Sequence, residues 1–101
     1  MNNNDLFPAI TEDGIVNLKV GSLYQIFWRR HKTDEFKPHD DVNYKGPILI
    51  LEIKRVNINS IQMPHLHDIK FLSLEKNEIL IESFSGGGTD LPRFRFKELV
   101  E

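Results

Sequence analysis

The feature that most constrains the fold of this chain is a succession of short apolar runs with turn signals between them, and no ten-residue amphipathic helical pattern anywhere. The last third is clearest. His67 to Leu74 and Glu78 to Phe84 are strand-like runs separated by Glu75-Lys76-Asn77, as the two arms of a hairpin would be. Arg93-Phe94-Arg95-Phe96-Lys97 alternates, so the period of two that governs strands puts Phe94 and Phe96 on one face and Arg93, Arg95 and Lys97 on the other. Leu23 to Trp28 has the aromatic and β-branched enrichment of a strand buried on much of both faces, and Pro47 to Ile53 opens a further strand behind Gly46. Between Ile15 and Gly21 the alternation predicts a strand with Val16, Leu18 and Val20 inward. Leu6 to Ile10 is too short and Pro-broken for a helix but apolar enough to lie across a core as an arm, and Thr11 to Gly14 is a turn. Glu98-Leu99-Val100 closes as a helical turn. Strand following strand predicts one all-β domain over residues 1–101, a small barrel of five to six antiparallel strands with long loops, in which residues 1–14 form the N-terminal arm.

Composition bounds the function classes. A chain of 101 residues can bury a single core without staples, and with no cysteine it has neither disulfides nor thiolate metal ligands, which fits a reducing compartment. Thirteen basic and fifteen acidic side chains give a net charge of −2, so no overall field draws in nucleic acid or anionic lipid, and any such role needs a local patch. Met1 to Asp5 carries neither the basic start nor the apolar stretch of a secretory signal, and no window approaches the roughly 20 apolar residues of a membrane span. The expectation is a soluble, cytoplasmic protein without a membrane partner.

Val20-Gly21-Ser22-Leu23-Tyr24, the Gly46-Pro47-Ile48-Leu49-Ile50-Leu51 run, the Ile69 to Ile81 hairpin and the closing Phe96-Lys97-Glu98-Leu99-Val100 resemble, in order, the strands of Src-homology-3-type small barrels. The resemblance covers residues 16–101 and is similar to short proteins encoded by tailed bacteriophages, which implies an SH3-like barrel of viral origin that works in the virion or the host cytoplasm. It does not imply one function, because such barrels bind peptides, nucleic acids and proteins alike.

Two loops interrupt the strands. Arg29 to Gly46 is charged and turn-prone, and Arg55 to His67 is the second. Loops beyond about 12 to 15 residues are uncommon in small domains and are often functional, and binding residues usually sit on loops held by a rigid scaffold. The leading expectation is therefore a non-enzymatic protein-interaction module, with Trp28, Arg30, Lys32, Asp34, Glu35, His39, Asp40 and Asp41 as partner-binding residues. The partner would be another protein, a virion component or a host protein; a second copy of the chain is a further partner the sequence leaves open. The alternative is nucleic-acid binding. If the two basic segments meet, Arg29, Arg30, Lys32, Arg93, Arg95 and Lys97 form one basic face, with Trp28 or Tyr24 available to stack on bases.

Other constellations carry less. His65 and His67 share a face of an extended segment and would need His31, His39, Asp40 or Asp41 to complete a zinc set; no spacing here reproduces a closed one, and no metal or cofactor is expected. Ser83 to Pro92 resembles the glycine-rich segment of GHMP-type sugar kinases, and Gly86-Gly87-Gly88 could turn N–H groups toward an anion. The match spans ten residues of a chain far shorter than that fold and lacks its second phosphate motif, so no kinase activity is carried over. Ser60, Ser73, Ser83 and Ser85 lack a nucleophile elbow, and the acidic pairs Asp34-Glu35 and Asp40-Asp41 lie in polar sequence, so no catalytic residue is assigned.

Overall fold

A computed structural model describes residues 5–56, 65–86 and 94–99. Its strands are β1 (Leu23–Trp28), β2 (Lys37–Pro38), β3 (Pro47–Arg55), β4 (His67–Ser73), β5 (Glu78–Phe84) and β6 (Phe94–Glu98). All pairings are antiparallel. β3, β4 and β5 form a meander, β1 joins the other edge of β3, and β6 returns to pair with β1. The first half of β1 pairs with β3, Tyr24 opposite Ile48, and its last two residues pair with β2, Trp28 opposite Lys37. The result is an all-β, curled half-barrel sheet.

The curl is visible in the burial pattern. β4 alternates strictly, with His67, Ile69, Phe71 and Ser73 buried, and the core gathers Tyr24, Ile26, Ile48, Ile50, Ile69, Phe71 and Phe96 on the concave face. A bulge between Ile50 and Glu52 shifts the β3–β4 register, and bulges increase the local bend that lets a sheet wrap its own core. β1 is buried on both faces, as its composition predicts: Tyr24 and Ile26 face the core, while Phe27, fully buried, lies on the opposite face between Pro38 and Arg95. On the convex face of β5, Ile79 and Ile81 stay 58% and 61% exposed.

The N-terminal arm closes the open side. Phe7 exchanges two backbone hydrogen bonds with Phe96, of 3.0 and 2.7 Å, and Ala9 and Ile10 are buried in the core. At the other end of the arm Gly86, just past β5, lies so close to Thr11 that a Cβ there would come within 2.0 Å of the Thr11 carbonyl oxygen. The arm thus spans from the edge of β6 to the end of β5.

Two expectations are corrected. Residues 15–21 do not form a strand: Val16 makes an isolated bridge to Ile10, Leu18 is buried, and Val20 is 60% exposed. The reason is the turn closed by the Ser22 N–H on the Lys19 carbonyl, with Gly21 at φ +89°, which swings Val20 outward. Glu98–Leu99 continues extended, Glu98 ending β6 and the Leu99 N–H donating to the Leu23 carbonyl, where a helical turn was expected; Val100 lies outside the described residues.

The closure by the arm has a direct test. Gly86→Ala places a methyl group against backbone, which cannot yield as a flexible side chain would, so it is expected to lower the unfolding midpoint and expose the arm to proteolysis, while Ser85→Ala does neither. Phe96→Ala, which empties the core beneath the arm, is expected to cost about 3–5 kcal/mol by urea unfolding.

Candidate functional site

The loop from Arg29 to Gly46 is not structureless. It folds back on β1 through β2, and the His39 N–H donates to the Ile26 carbonyl at 2.9 Å, which extends the pairing by one residue. Parity then sorts its side chains. Lys37 and His39 share the face of Trp28 and Ile26; Phe36 and Pro38 share the face of Phe27 and Arg95.

On the inner side His39 sits in an aromatic slot. Its ring stacks on Trp28 (centroids 5.3 Å apart, planes at 29°) and on Phe94 (5.5 Å, 25°), and Tyr44 packs at 4.8 Å. Phe94 in turn meets Phe84, which meets Phe96, so the loop is tied through aromatic edges into the core. Aromatic pairs of this kind contribute about 0.5–1.5 kcal/mol each beyond the area they bury. Trp28 Nε1 is buried without an acceptor among the described residues, a cost on the order of 1–3 kcal/mol that the stacking must offset. Tyr44 donates its hydroxyl to Glu82 Oε1 of β5 at 2.5 Å. Burial first, then that hydrogen bond and the Glu82 charge, hold the phenol well above its usual pKa, so it stays a donor.

Local hydrogen bonds finish the loop. The Asp41 N–H donates to His39 Nδ1 at 3.1 Å, the Asn43 N–H to Asp41 Oδ1 at 2.9 Å, and the Tyr44 and Lys45 N–H groups both donate to the Asp41 carbonyl. At the tip, the His31 N–H donates to Asp34 Oδ2 and the Asp34 N–H returns to the His31 carbonyl. Arg30, His31, Lys32, Thr33, Asp34 and Glu35 are all exposed, forming a charged crest on an anchored base.

On the outer side two arginines share one ring. Arg29 Cζ lies 4.3 Å and Arg95 Cζ 5.0 Å from the centroid of Phe36, and Lys37 Nζ lies 5.2 Å from that of Trp28 on the inner side. The two ion pairs among the described residues, Lys45–Glu75 and Lys76–Glu78, involve none of these cations.

The sequence-predicted residues therefore divide. Arg30, Lys32, Asp34 and Glu35 stand on the crest, and Asp40 and Asp41 on the exposed descent; Trp28 and His39 belong instead to the anchor beneath. Arg29, Arg95 and Lys97 are brought to one face by the β1–β6 pairing, with Gln25 opposite Lys97 and Phe27 opposite Arg95; Arg93 lies outside the described residues. Tyr24 is not available for stacking. It is buried, its hydroxyl accepting the Lys19 N–H at 2.8 Å. His67 is buried with Nδ1 2.8 Å from the His65 carbonyl oxygen, and no three His, Asp or Glu side chains converge on a metal-sized site among the described residues. Residues 57–64 of the second loop, and 87–92 of the glycine segment, lie outside the described residues. Phe36, Tyr44 and Glu82 were missed; an aromatic residue in an otherwise charged loop is the signal that could have found the first two.

Comparison with protein-family models, with curated proteins and with solved structures returned no match. No helix among the described residues is long and apolar enough to cross a membrane.

Burial lowers the His39 pKa below its ordinary 6.5, opposed by the charges of Asp41 and Asp40. The unfolded chain then takes up a proton more readily than the folded one as pH falls below 6.5, so the anchor is at full strength above that pH and weakens as pH falls through the lowered folded value. Protonating Nδ1 also removes the acceptor for the Asp41 N–H. Urea unfolding of wild type and His39→Phe on both sides of this window is expected to show wild type losing stability relative to the variant at the acid end; parallel pH profiles would contradict it.

Proposed function

We propose that this protein is a non-enzymatic protein-interaction module that presents the Arg30 to Glu35 crest, together with Asp40 and Asp41, to another protein. The observation that carries the reading is the pairing of an anchored base with an exposed, charged rim: His39 and Tyr44 lock the loop to the core, while the rim charges form no ion pair among the described residues. A surface whose geometry is fixed before binding loses little entropy on association, and rim charges of both signs give orientation and specificity more than raw affinity. The groups with perturbed pKa values favour a structural over a catalytic use, since His39 and Tyr44 are spent on stacking and internal hydrogen bonding.

The succession β1, long loop, β3, β4, β5 and β6, with β6 returning to β1, supports assigning the chain to the Src-homology-3-type barrels. With the bacteriophage resemblance, the partner is a virion component or a host protein, met in the virion or the host cytoplasm.

The test is capture with tagged full-length protein from its producing cells, nuclease-treated and untreated, beside a Glu35→Ser, Asp40→Ser variant. These positions are exposed, so the variant should keep the wild-type unfolding midpoint. The expected result is a stoichiometric protein retained after nuclease by wild type and reduced at least tenfold for the variant. Retention by both proteins, or loss from wild type after nuclease, would contradict the assignment.

A further inference from the structure

The convex side of β1 and β6 carries a second feature, separate from the crest. Because Phe27 pairs with Arg95 and Gln25 with Lys97, Arg95 and Lys97 share the outer face while Phe94 and Phe96 turn inward. Arg29, two residues beyond Phe27, falls on the same face, and the chain returning into β2 lays the Phe36 ring between these strands' cations, with Arg29 and Arg95 both against it. Two guanidinium groups held on one ring repel each other. Burial and then the Arg29 charge lower the pKa of Arg95, and the counter-charge that would relieve this has to come from elsewhere.

Nothing inside the described protein supplies that counter-charge. No carboxylate lies within 4.0 Å of either guanidinium among the described residues. Of the five N–H donors a guanidinium offers, Arg95 uses Nη1 on the Phe94 carbonyl at 3.1 Å, and no acceptor for Arg29 is found among the described residues. The fork geometry of arginine matches an oxyanion with two acceptor oxygens, and its planar face stacks on aromatic systems. We propose that Arg29 and Arg95, both held against the Phe36 ring, form a phosphate clamp for single-stranded nucleic acid, continued along β6 by Lys97.

Three points favour a nucleic-acid strand over an isolated anion. Lys97 lies two residues from Arg95 on the same face of a strand, which separates the two cations by about 7 Å, comparable to the spacing of adjacent phosphates along an extended strand. Arg30 and Lys32, exposed just past β1, extend the positive charge beyond Arg29. Arginine and aromatic side chains held together, as Arg29, Arg95 and Phe36 are here, are the groups on which bases stack in single-strand recognition. The protein's net charge of −2 makes this attraction local, so it depends on these few side chains.

The experiment is a fluorescence-anisotropy titration of labelled oligothymidylate and oligouridylate with the full chain, with a labelled oligoglutamate peptide as the rival polyanion. Wild type is expected to bind the oligonucleotides, weakening about twentyfold between about 50 and about 200 mM salt, as three phosphate contacts to a single strand require. Arg29→Gln with Arg95→Gln is expected to reduce affinity at least tenfold. Arg29→Lys with Arg95→Lys keeps the charge but loses the planar fork held against Phe36, and is expected to recover only part of the binding. Should the double glutamine variant fail to fold, Lys97→Gln alone is expected to flatten the log–log salt slope by about 0.7. No oligonucleotide binding by wild type, tighter binding of oligoglutamate, or a salt slope unchanged in Lys97→Gln would each overturn the clamp. The protein capture described above is read independently of these outcomes, because its crest variant leaves Arg29, Arg95 and Lys97 in place.

Discussion

The stacking of His39 between Trp28 and Phe94 is the contact on which the functional surface depends. A loop of this length would ordinarily sample many conformations, and ordering it costs roughly 1–2 kcal/mol per residue of backbone entropy. Here the interactions that oppose this cost converge at one place. His39 and Tyr44 reach into an aromatic slot already defined by the β1–β6 pair, and the backbone between them is wound around Asp41 by hydrogen bonds to its carbonyl and side chain. The slot exists because Trp28 and Phe94 are cross-strand partners, so strand register and loop geometry are one constraint.

That constraint also decides what each face presents. With Trp28 and Phe94 committed inward, their neighbours Phe27 and Arg95 must face outward. An apolar Phe27 on the convex side needs cover, and Phe36, Pro38 and the aliphatic stem of Arg95 lie on that same side. Long cationic side chains can cover apolar surface while keeping their heads in water. The basic character of the outer face is thus tied to the burial of Phe27, and the crest, one turn beyond, remains free of any packing duty. The N-terminal arm completes the enclosure from the opposite side through Phe7, Ala9 and Ile10.

The strands were legible because period-two alternation and turn residues act locally. Leu23–Trp28 was read with its observed bounds, the β4–β5 hairpin followed from Glu75-Lys76-Asn77, and the inward Phe94 and Phe96 from alternation alone. Alternation misled at Val16, Leu18 and Val20, where Gly21 at positive φ turns the chain before a ladder can form. The meeting of the two basic segments could be stated only as a condition, since pairing between residues near 27 and near 95 is non-local. The anchor was half visible. Trp28 and His39 were singled out, but as partner-binding residues, because burial of a loop histidine depends on Tyr44, Phe94 and Glu82, which arrive from three separate parts of the chain.

Amide hydrogen exchange of the full-length protein tests the central claim most directly. The N–H of His39, bonded to the Ile26 carbonyl, and those of Tyr44 and Lys45, bonded to the Asp41 carbonyl, report on the anchored loop, and those of Ile69 and Phe71, in β4 between β3 and β5, report on the sheet. If the aromatic anchor fixes the loop, the loop amides are protected to the same order as the sheet amides. Loop amides exchanging at the rate of unstructured chain, beside a protected sheet, would contradict it.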